Sequence, residues 1–258
     1  MNGRLQDKVA IVTGAGQGIG EAIARAFAAE AACVLIAEKN AETGAAVADA
    51  ITEGDAKAAF VRTDVTVQDD IAAMVETCHS RFGPCDILIN NAGANVFYEP
   101  HDMPQHEWHR CMALDLEACW SCSRAVLDDM RARRSGAIVN IASVHGFKII
   151  PHTFPYPVAK HGLIGLTRAL GIEYAAEGIR VNAIAPGYID TQIARDYWNT
   201  FDDPAAERAK AERLHPPGRI GQAHEVAMTA VFLASDEAPF INAETITIDG
   251  GRSALFHD

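Results

Sequence analysis

Tyr156 and Lys160 stand four residues apart in Tyr156-Pro157-Val158-Ala159-Lys160. On a helix this spacing sets an ammonium beside a phenol. A free phenol titrates near ~10, and a neighbouring cation favours its ionised form, so Lys160 is expected to draw Tyr156 toward neutrality, where it can act as a general base. Ser143, just after the apolar run Ala137–Ala142, offers a hydroxyl that can hydrogen-bond a reacting oxygen. A second chemistry lies near the start of the chain. The loop Thr13-Gly14-Ala15-Gly16-Gln17-Gly18-Ile19-Gly20 follows the apolar run Lys8–Thr13 and precedes the helical run Glu21–Glu30. Glycines there allow a tight turn and close backbone approach to a pyrophosphate, and the helix amino end supplies free N–H groups. The loop lacks the Gly-Lys-Ser/Thr of a Walker A site. Glu38, twenty residues after Gly18, ends the second apolar run. A carboxylate there accepts hydrogen bonds from the adenosine ribose and repels a 2′-phosphate. With Gln17 instead of Arg in the loop, NAD is the expected cofactor and NADP the alternative, for which Lys39 offers a partial partner.

These residues need a scaffold that brings loop and helix to one edge. Seven short apolar runs supply it: Lys8–Thr13, Ala32–Ala37, Ala58–Arg62, Asp86–Asn90, Ala137–Ala142, Arg180–Ala185 and Glu244–Ile248. Ala-rich helical stretches separate them, too long for hairpins, and the runs are apolar on both faces. This pattern predicts a single α/β domain over residues 1–258, a doubly wound seven-stranded parallel sheet with helices on both faces. One segment breaks the rhythm. Residues 188–221 are polar, aromatic and Pro-containing, far longer than an ordinary strand-to-helix connection, and are expected to form a lid or pocket wall beyond the carboxyl ends of the strands.

Composition excludes other classes. The 258 residues are 49% apolar and 22% charged, the balance of a globular chain. With 22 Lys and Arg against 34 Asp and Glu, the net charge of −12 argues against a nucleic-acid partner. No stretch approaches the ~18 apolar residues of a membrane helix, and no signal-peptide core follows Met1, so a cytoplasmic protein without a membrane partner is expected. The six irregularly spaced cysteines read as free thiols, and Cys119-Trp120-Ser121-Cys122, inside a long helical pattern, reads as packing or an oligomer face. His106-Glu107-Trp108-His109 does not match His-Glu-x-x-His, so no metal is expected.

Taken together, Thr13–Gly20, Asn90-Asn91-Ala92-Gly93, Ser143, Tyr156-x-x-x-Lys160 and Pro186-Gly187-x-x-x-Thr191 resemble the short-chain dehydrogenase/reductase family, over about Leu5 to Gly251. The resemblance implies a Rossmann fold and hydride transfer between a nicotinamide cofactor and a hydroxyl or carbonyl carbon. It implies that Tyr156 is the acid/base, that Lys160 tunes it and binds the nicotinamide ribose, and that Ser143 orients the substrate oxygen. Gly14, Gln17, Gly18, Ile19, Gly20 and Glu38 would bind the cofactor, joined by Asp64 and Val65 at the adenine. Asn91, Ala92 and Gly93 would line the groove, and Pro186, Gly187, Ile189 and Thr191 would hold the nicotinamide. Where the family usually has a catalytic Asn, this chain has Asp115, which is expected to be functional. Pro157 is expected at the first helical position, where its missing N–H costs little. The helix Trp108–Arg131, with Met112, Leu116, Trp120 and Val126 on one stripe, is similar to one that relatives pair between subunits, which implies a homotetramer or homodimer.

By position, Asn95, Ser143, His145, Lys148, His152, Tyr156, Tyr188 and Trp198 are the substrate-pocket candidates, a polar set that suits a small sugar or polyol. The segments 143–151 and 250–258 resemble the aldose 1-dehydrogenase branch of the family, which implies oxidation of a sugar C1 hydroxyl to a lactone. A 3-oxoacyl carrier-protein reductase or another secondary-alcohol dehydrogenase is the alternative enzyme, and an NAD-binding regulator the alternative from another class.

Overall fold

The computed structural model describes residues 3–54 and 56–256; His257 and Asp258, at the end of the aldose-like C-terminal segment, lie outside the described residues. Seven strands form one parallel sheet: β1 (Val9–Thr13), β2 (Cys33–Glu38), β3 (Ala58–Arg62), β4 (Ile87–Asn90), β5 (Gly136–Ile141), β6 (Ile179–Pro186) and, last in the chain, β9 (Thr245–Ile248). Their order is β3-β2-β1-β4-β5-β6-β9, so the winding reverses between β1 and β4. Ligands bind outside the carboxyl ends of strands at such a reversal. The register follows the sequence pattern: Val12 pairs with Ile36 of β2 and Ile89 of β4.

Because both faces are covered, alternate residues of each strand feed different cores. Ala10, Val12, Val34 and Ile36 pack with α1 (Gly18–Ala29), α2 (Ala41–Thr52) and α9 (Ala223–Ala234). Ile11, Leu35, Leu88 and Ile138 pack on the other side with α3 (Gln68–Arg81) and α5 (Ala118–Arg133). Between β5 and β6 runs α6 (Tyr156–Glu173), whose Leu163 and Ile164 pack against Ala142 and Ala183. Ala58–Arg62 is as expected and the ends of the other strands fall within one residue of the sequence expectation, since β-propensity does not mark where the ladder stops.

Two features depart from the sequence pattern. The helix expected over Trp108–Arg131 is α4 (Gln105–Met112) and α5 joined through a wide turn of π-helix at Ala113–Glu117, which carries Asp115. Residues 188–221 are not irregular: they hold β7 (Ile189–Asp190), α7 (Gln192–Trp198), α8 (Pro204–Arg213) and, with its last residue, β8 (Gly221–Gln222), which pairs with β7. Local chemistry starts both helices. Thr191 Oγ1 accepts from the Ala194 N–H at 3.3 Å, and Asp203 accepts from the Ala206 N–H at 3.0 Å with Pro204 just inside the helix.

Within the sheet lies a buried polar chain. Asn90 Nδ2 donates to Asn140 Oδ1 at 2.8 Å, and Asn140 Nδ2 donates to Thr167 Oγ1 at 2.9 Å. These bonds tie β4, β5 and α6 together beneath the site. Asn140→Ala leaves Thr167 and Asn90 short of a partner and is expected to cost about 1–3 kcal/mol, read as a lower denaturant midpoint; an unchanged midpoint would place the chain outside the stability of the fold.

Candidate active site

Three elements meet around Lys160. Ser143 follows β5, its Oγ accepting from the His145 N–H at 3.1 Å. Tyr156 is the first residue of α6 and Pro157 the second, one position later than expected. One turn on, the Lys160 ammonium lies 5.2 Å from the centroid of the Tyr156 ring. It donates to the Ile141 carbonyl at 3.2 Å and sits 3.3 Å from Asp115 Oδ1. Asp115 is fully buried, and the same oxygen accepts from the Ala94 N–H at 3.3 Å. Gly93 makes room for it, since a Cβ there would come within 2.6 Å of Oδ1. The Cys111 thiol lies 3.8 Å from Oδ2.

The electrostatics correct one expectation. Burial pushes the Tyr156 phenol up from its ordinary value; Lys160 opposes this, Asp115 adds to it, and the Ser143 hydrogen bond pulls it down. The expected lowering toward neutrality is therefore reversed, because the Tyr-x-x-x-Lys spacing counts the cation but neither the burial nor the carboxylate beside it. Burial acts to lower Lys160 but is outweighed by Tyr156 and Asp115, which hold it firmly protonated. Asp115 itself is raised by burial, against the pull of Lys160.

The glycine loop adjoins this group through the end of β4. Thr13 Oγ1 accepts from the N–H groups of Asn91 and Ala92 at 3.0 and 3.2 Å, and Asn91 Nδ2 donates to the Thr13 and Gly14 carbonyls at 3.0 and 2.9 Å. Gly14 has φ +63° and its Cβ would lie 2.8 Å from Ala92 Cα, so a side chain is excluded there. α1 begins at Gly18 with no side-chain cap from Gln17, which leaves its N–H groups and those of Ile19 and Gly20 for an anion. Glu38 accepts from the Gly16 N–H at 3.1 Å and the Asn40 N–H at 2.9 Å, beside the loop. Lys39 is drawn away by Asp64 at 2.7 Å, and Val65 is buried. On the far wall, Gly187 passes so near Asp249 that its Cβ would lie 2.8 Å from that residue's Cβ; Ile189 is buried; Thr191 lies beside Gly18. The residues present thus suit a dinucleotide: glycine cradle, uncapped helix end and strand-end carboxylate.

The substrate candidates divide. His145 packs edge-on to the Tyr156 ring at 5.7 Å, and Tyr188 packs on His215 at 5.8 Å. Asn95, Lys148 and His152 are exposed and make no hydrogen bond to the Tyr156 group among the described residues. Trp198 is only 5% exposed and packs with Ala211 and Ile220 as the core of the 188–221 segment. Sequence reasoning missed a partly exposed aromatic pile. Phe97, from the loop after β4, stacks on Tyr197 of α7 at 5.0 Å, and Tyr197 meets Phe201 at 5.2 Å. These rings are 47%, 38% and 38% exposed. No spacing links residues a hundred positions apart. It also missed His215, buried with Nε2 unpartnered among the described residues.

Comparison with known proteins agrees with this geometry. A family model described as enoyl-(acyl carrier protein) reductase matches residues 14–253. The crystal structure of levodione reductase superposes with a TM-score of 0.94 at 33% identity, covering 98% of this chain and all of that one. The chain belongs to the short-chain dehydrogenase/reductase family. It is 40% identical to cis-4-hydroxycyclohexanecarboxylate dehydrogenase of Sinomonas cyclohexanicum, over 96% of this chain and 98% of that protein. It is 37% identical to a 3-oxoacyl-(acyl-carrier-protein) reductase of Chlamydia muridarum, over 98% and 100%. As a member of the family it is an NAD(P)-linked oxidoreductase acting on CH–OH donors. Among the described residues no helix is long and apolar enough to cross a membrane.

The Lys39–Asp64 pair makes a testable contribution. Burial acts to raise Asp64, but Lys39 and Thr66 outweigh it and hold the carboxyl at about 2. A depressed carboxyl stabilises the fold above its unfolded pKa, near ~3.9, and loses that contribution as pH falls through its folded value. Lys39→Ala is expected to unfold more easily at neutral pH, with the gap to the parent closing between about pH 4 and pH 2. A pH-independent gap in urea titrations would contradict this.

Proposed function

We propose that the chain is an NAD-linked dehydrogenase that oxidises a secondary hydroxyl carried on a six-membered ring. The convergence of Ser143, Tyr156 and Lys160 at the carboxyl edge of the sheet, beside the glycine loop, carries the reading. Ser143 orients the substrate oxygen, Tyr156 accepts the hydroxyl proton, and Lys160 favours the phenolate. Asp115 supports Lys160 from the π turn. The loop Gly14 to Gly20, with Gln17, Gly18 and Ile19, would hold the pyrophosphate and Glu38 the adenosine ribose. Asp64 and Val65 would flank the adenine. Asn91, Ala92, Gly93, Pro186, Gly187, Ile189 and Thr191 would hold the nicotinamide. When bound, that ring supplies the hydride acceptor or donor.

Glu38 at the ribose position and the engagement of Lys39 by Asp64 favour NAD over NADP. The exposed rings of Phe97, Tyr197 and Phe201, with residues 188–221 as the cover, favour an apolar ring, in keeping with the name of the 40% identical relative. An aldose, oxidised at C1 to its lactone, is the second reading, favoured by the polar His145, Asn95, Lys148 and His152. Trp120 of α5, 47% exposed, and Val158 of α6, 40% exposed, support self-association as a homotetramer or homodimer.

The test is reduced-nicotinamide formation with NAD and NADP across substituted cyclohexanols, aldoses and open-chain alcohols, with reduction of a 3-oxoacyl thioester in parallel. Turnover of a cyclohexanol with NAD, abolished in Tyr156→Phe, is expected. Turnover of aldoses alone would select the second reading, and 3-oxoacyl reduction with NADP alone would overturn both.

The cofactor assignment has its own test. Glu38→Ser combined with Gln17→Arg removes the repulsion and adds a bidentate phosphate partner, so the ratio of kcat/KM for NADP to that for NAD should rise by tenfold or more, an order-of-magnitude expectation of ~1.4 kcal/mol. An unchanged ratio would mean that the ribose lies elsewhere.

A further inference from the structure

We propose that Asp115 is a positioning residue whose negative charge governs how strongly Lys160 draws the proton from Tyr156, and so sets the pH range of oxidation. The inference rests on Tyr156 being the acid/base. The geometry alone places the charge: Asp115 is fully buried, and Lys160, 3.3 Å from its Oδ1, is the cation it meets. Two local features accommodate it, the π turn of Ala113–Glu117 and the side-chain-free Gly93. Such a wide turn inserts one residue and re-aims the side chains around it.

An amide of the same shape could accept from the Ala94 N–H and the Lys160 ammonium just as the carboxylate does. Burying a carboxylate instead carries a large desolvation cost. What it adds at this position is charge, and the charge acts on Lys160 first. The groups facing Tyr156 are few. Lys160 comes from its own helix, Asp115 from the π turn, Cys111 from the end of α4, and Ser143 and His145 from the turn after β5. His145 is held toward its neutral form, chiefly by burial and further by His161. Burial pushes the Cys111 thiol up to about 12, so it too is neutral near pH 7. Lys160 and Asp115 therefore remain as an opposed pair, and Asp115 offsets part of the pull that Lys160 exerts on the phenol. The consequence is an oxidation that needs alkaline pH, with a tyrosine that keeps its proton near neutrality and can donate it in the reverse direction.

Asp115→Asn keeps the shape and removes the charge. Titrated by phenolate absorbance, as the difference between each protein and the same protein carrying Tyr156→Phe, the Tyr156 midpoint is expected about one pH unit lower in Asp115→Asn. The acid limb of the oxidation profile should move with it. An unmoved midpoint in a folded variant would overturn the proposal, as would an upward shift. If Asp115→Asn does not fold, Asp115→Ala supplies the second reading. It too removes the charge, so a downward shift is again expected, and none would again refute the idea. The absorbance titration needs no substrate, so it fails or succeeds separately from the acid/base assignment. That assignment falls instead if Tyr156→Phe retains turnover.

Discussion

A lysine ammonium that is 3% exposed must find compensation inside the protein. Its partners come from separate parts of the chain: the Ile141 carbonyl at the end of β5, Asp115 from the π turn, and the Tyr156 ring one turn earlier on α6. The end of β4 must also stay clear, because anything larger than glycine at position 93 would collide with Asp115. One buried nitrogen thus fixes the relative placement of β4, β5 and two helices, and the Tyr156 phenol is placed as a by-product of meeting that electrostatic demand.

The short segment after β4 then couples this group to the glycine loop. Asn91 binds the backbone of Thr13 and Gly14, while Ala94, three residues on, donates to Asp115. The segment Asn91 to Ala94 therefore sets the distance between the glycine loop and the Tyr156–Lys160 group. Its rigidity comes from below, where Asn90 and Asn140 close a buried hydrogen-bond chain between β4 and β5. Satisfied networks of this kind favour one arrangement, because any shift leaves a buried polar atom without its partner.

The segment after β6 obeys different physics. Residues 188–221 carry a small core of their own around Trp198, and Asp190 binds Arg195 of α7 and Arg208 of α8 at 2.8 and 3.0 Å. These are partly solvated pairs, worth little individually. This segment meets the loop after β4 through the Phe97–Tyr197 stack. An element held by modest contacts can move with less loss than the buried group around Lys160, which suits the role of cover proposed for residues 188–221.

The parallel sheet, its seven strands, the glycine loop and the Tyr156–Lys160 pair were all legible in the sequence. Each is written in residues close together, through apolar runs of strand length, a turn that demands glycine, or the four-residue spacing of a helix. The charge at Asp115 was visible too, as a departure from the family pattern. Its effect was not, because the π turn, the space at Gly93 and the partial burial of Tyr156 follow from packing among residues far apart in the chain. For the same reason the packing of Trp198 on Ala211 and Ile220 was not readable, and Phe97 and Tyr197 gave no sign that they would stack. The sequence by itself determined the local geometry of the chemistry, since short-range sterics and periodicity suffice for it. The tertiary structure decided which charges share a low-dielectric interior and which rings stack at the surface, since both depend on how distant elements pack.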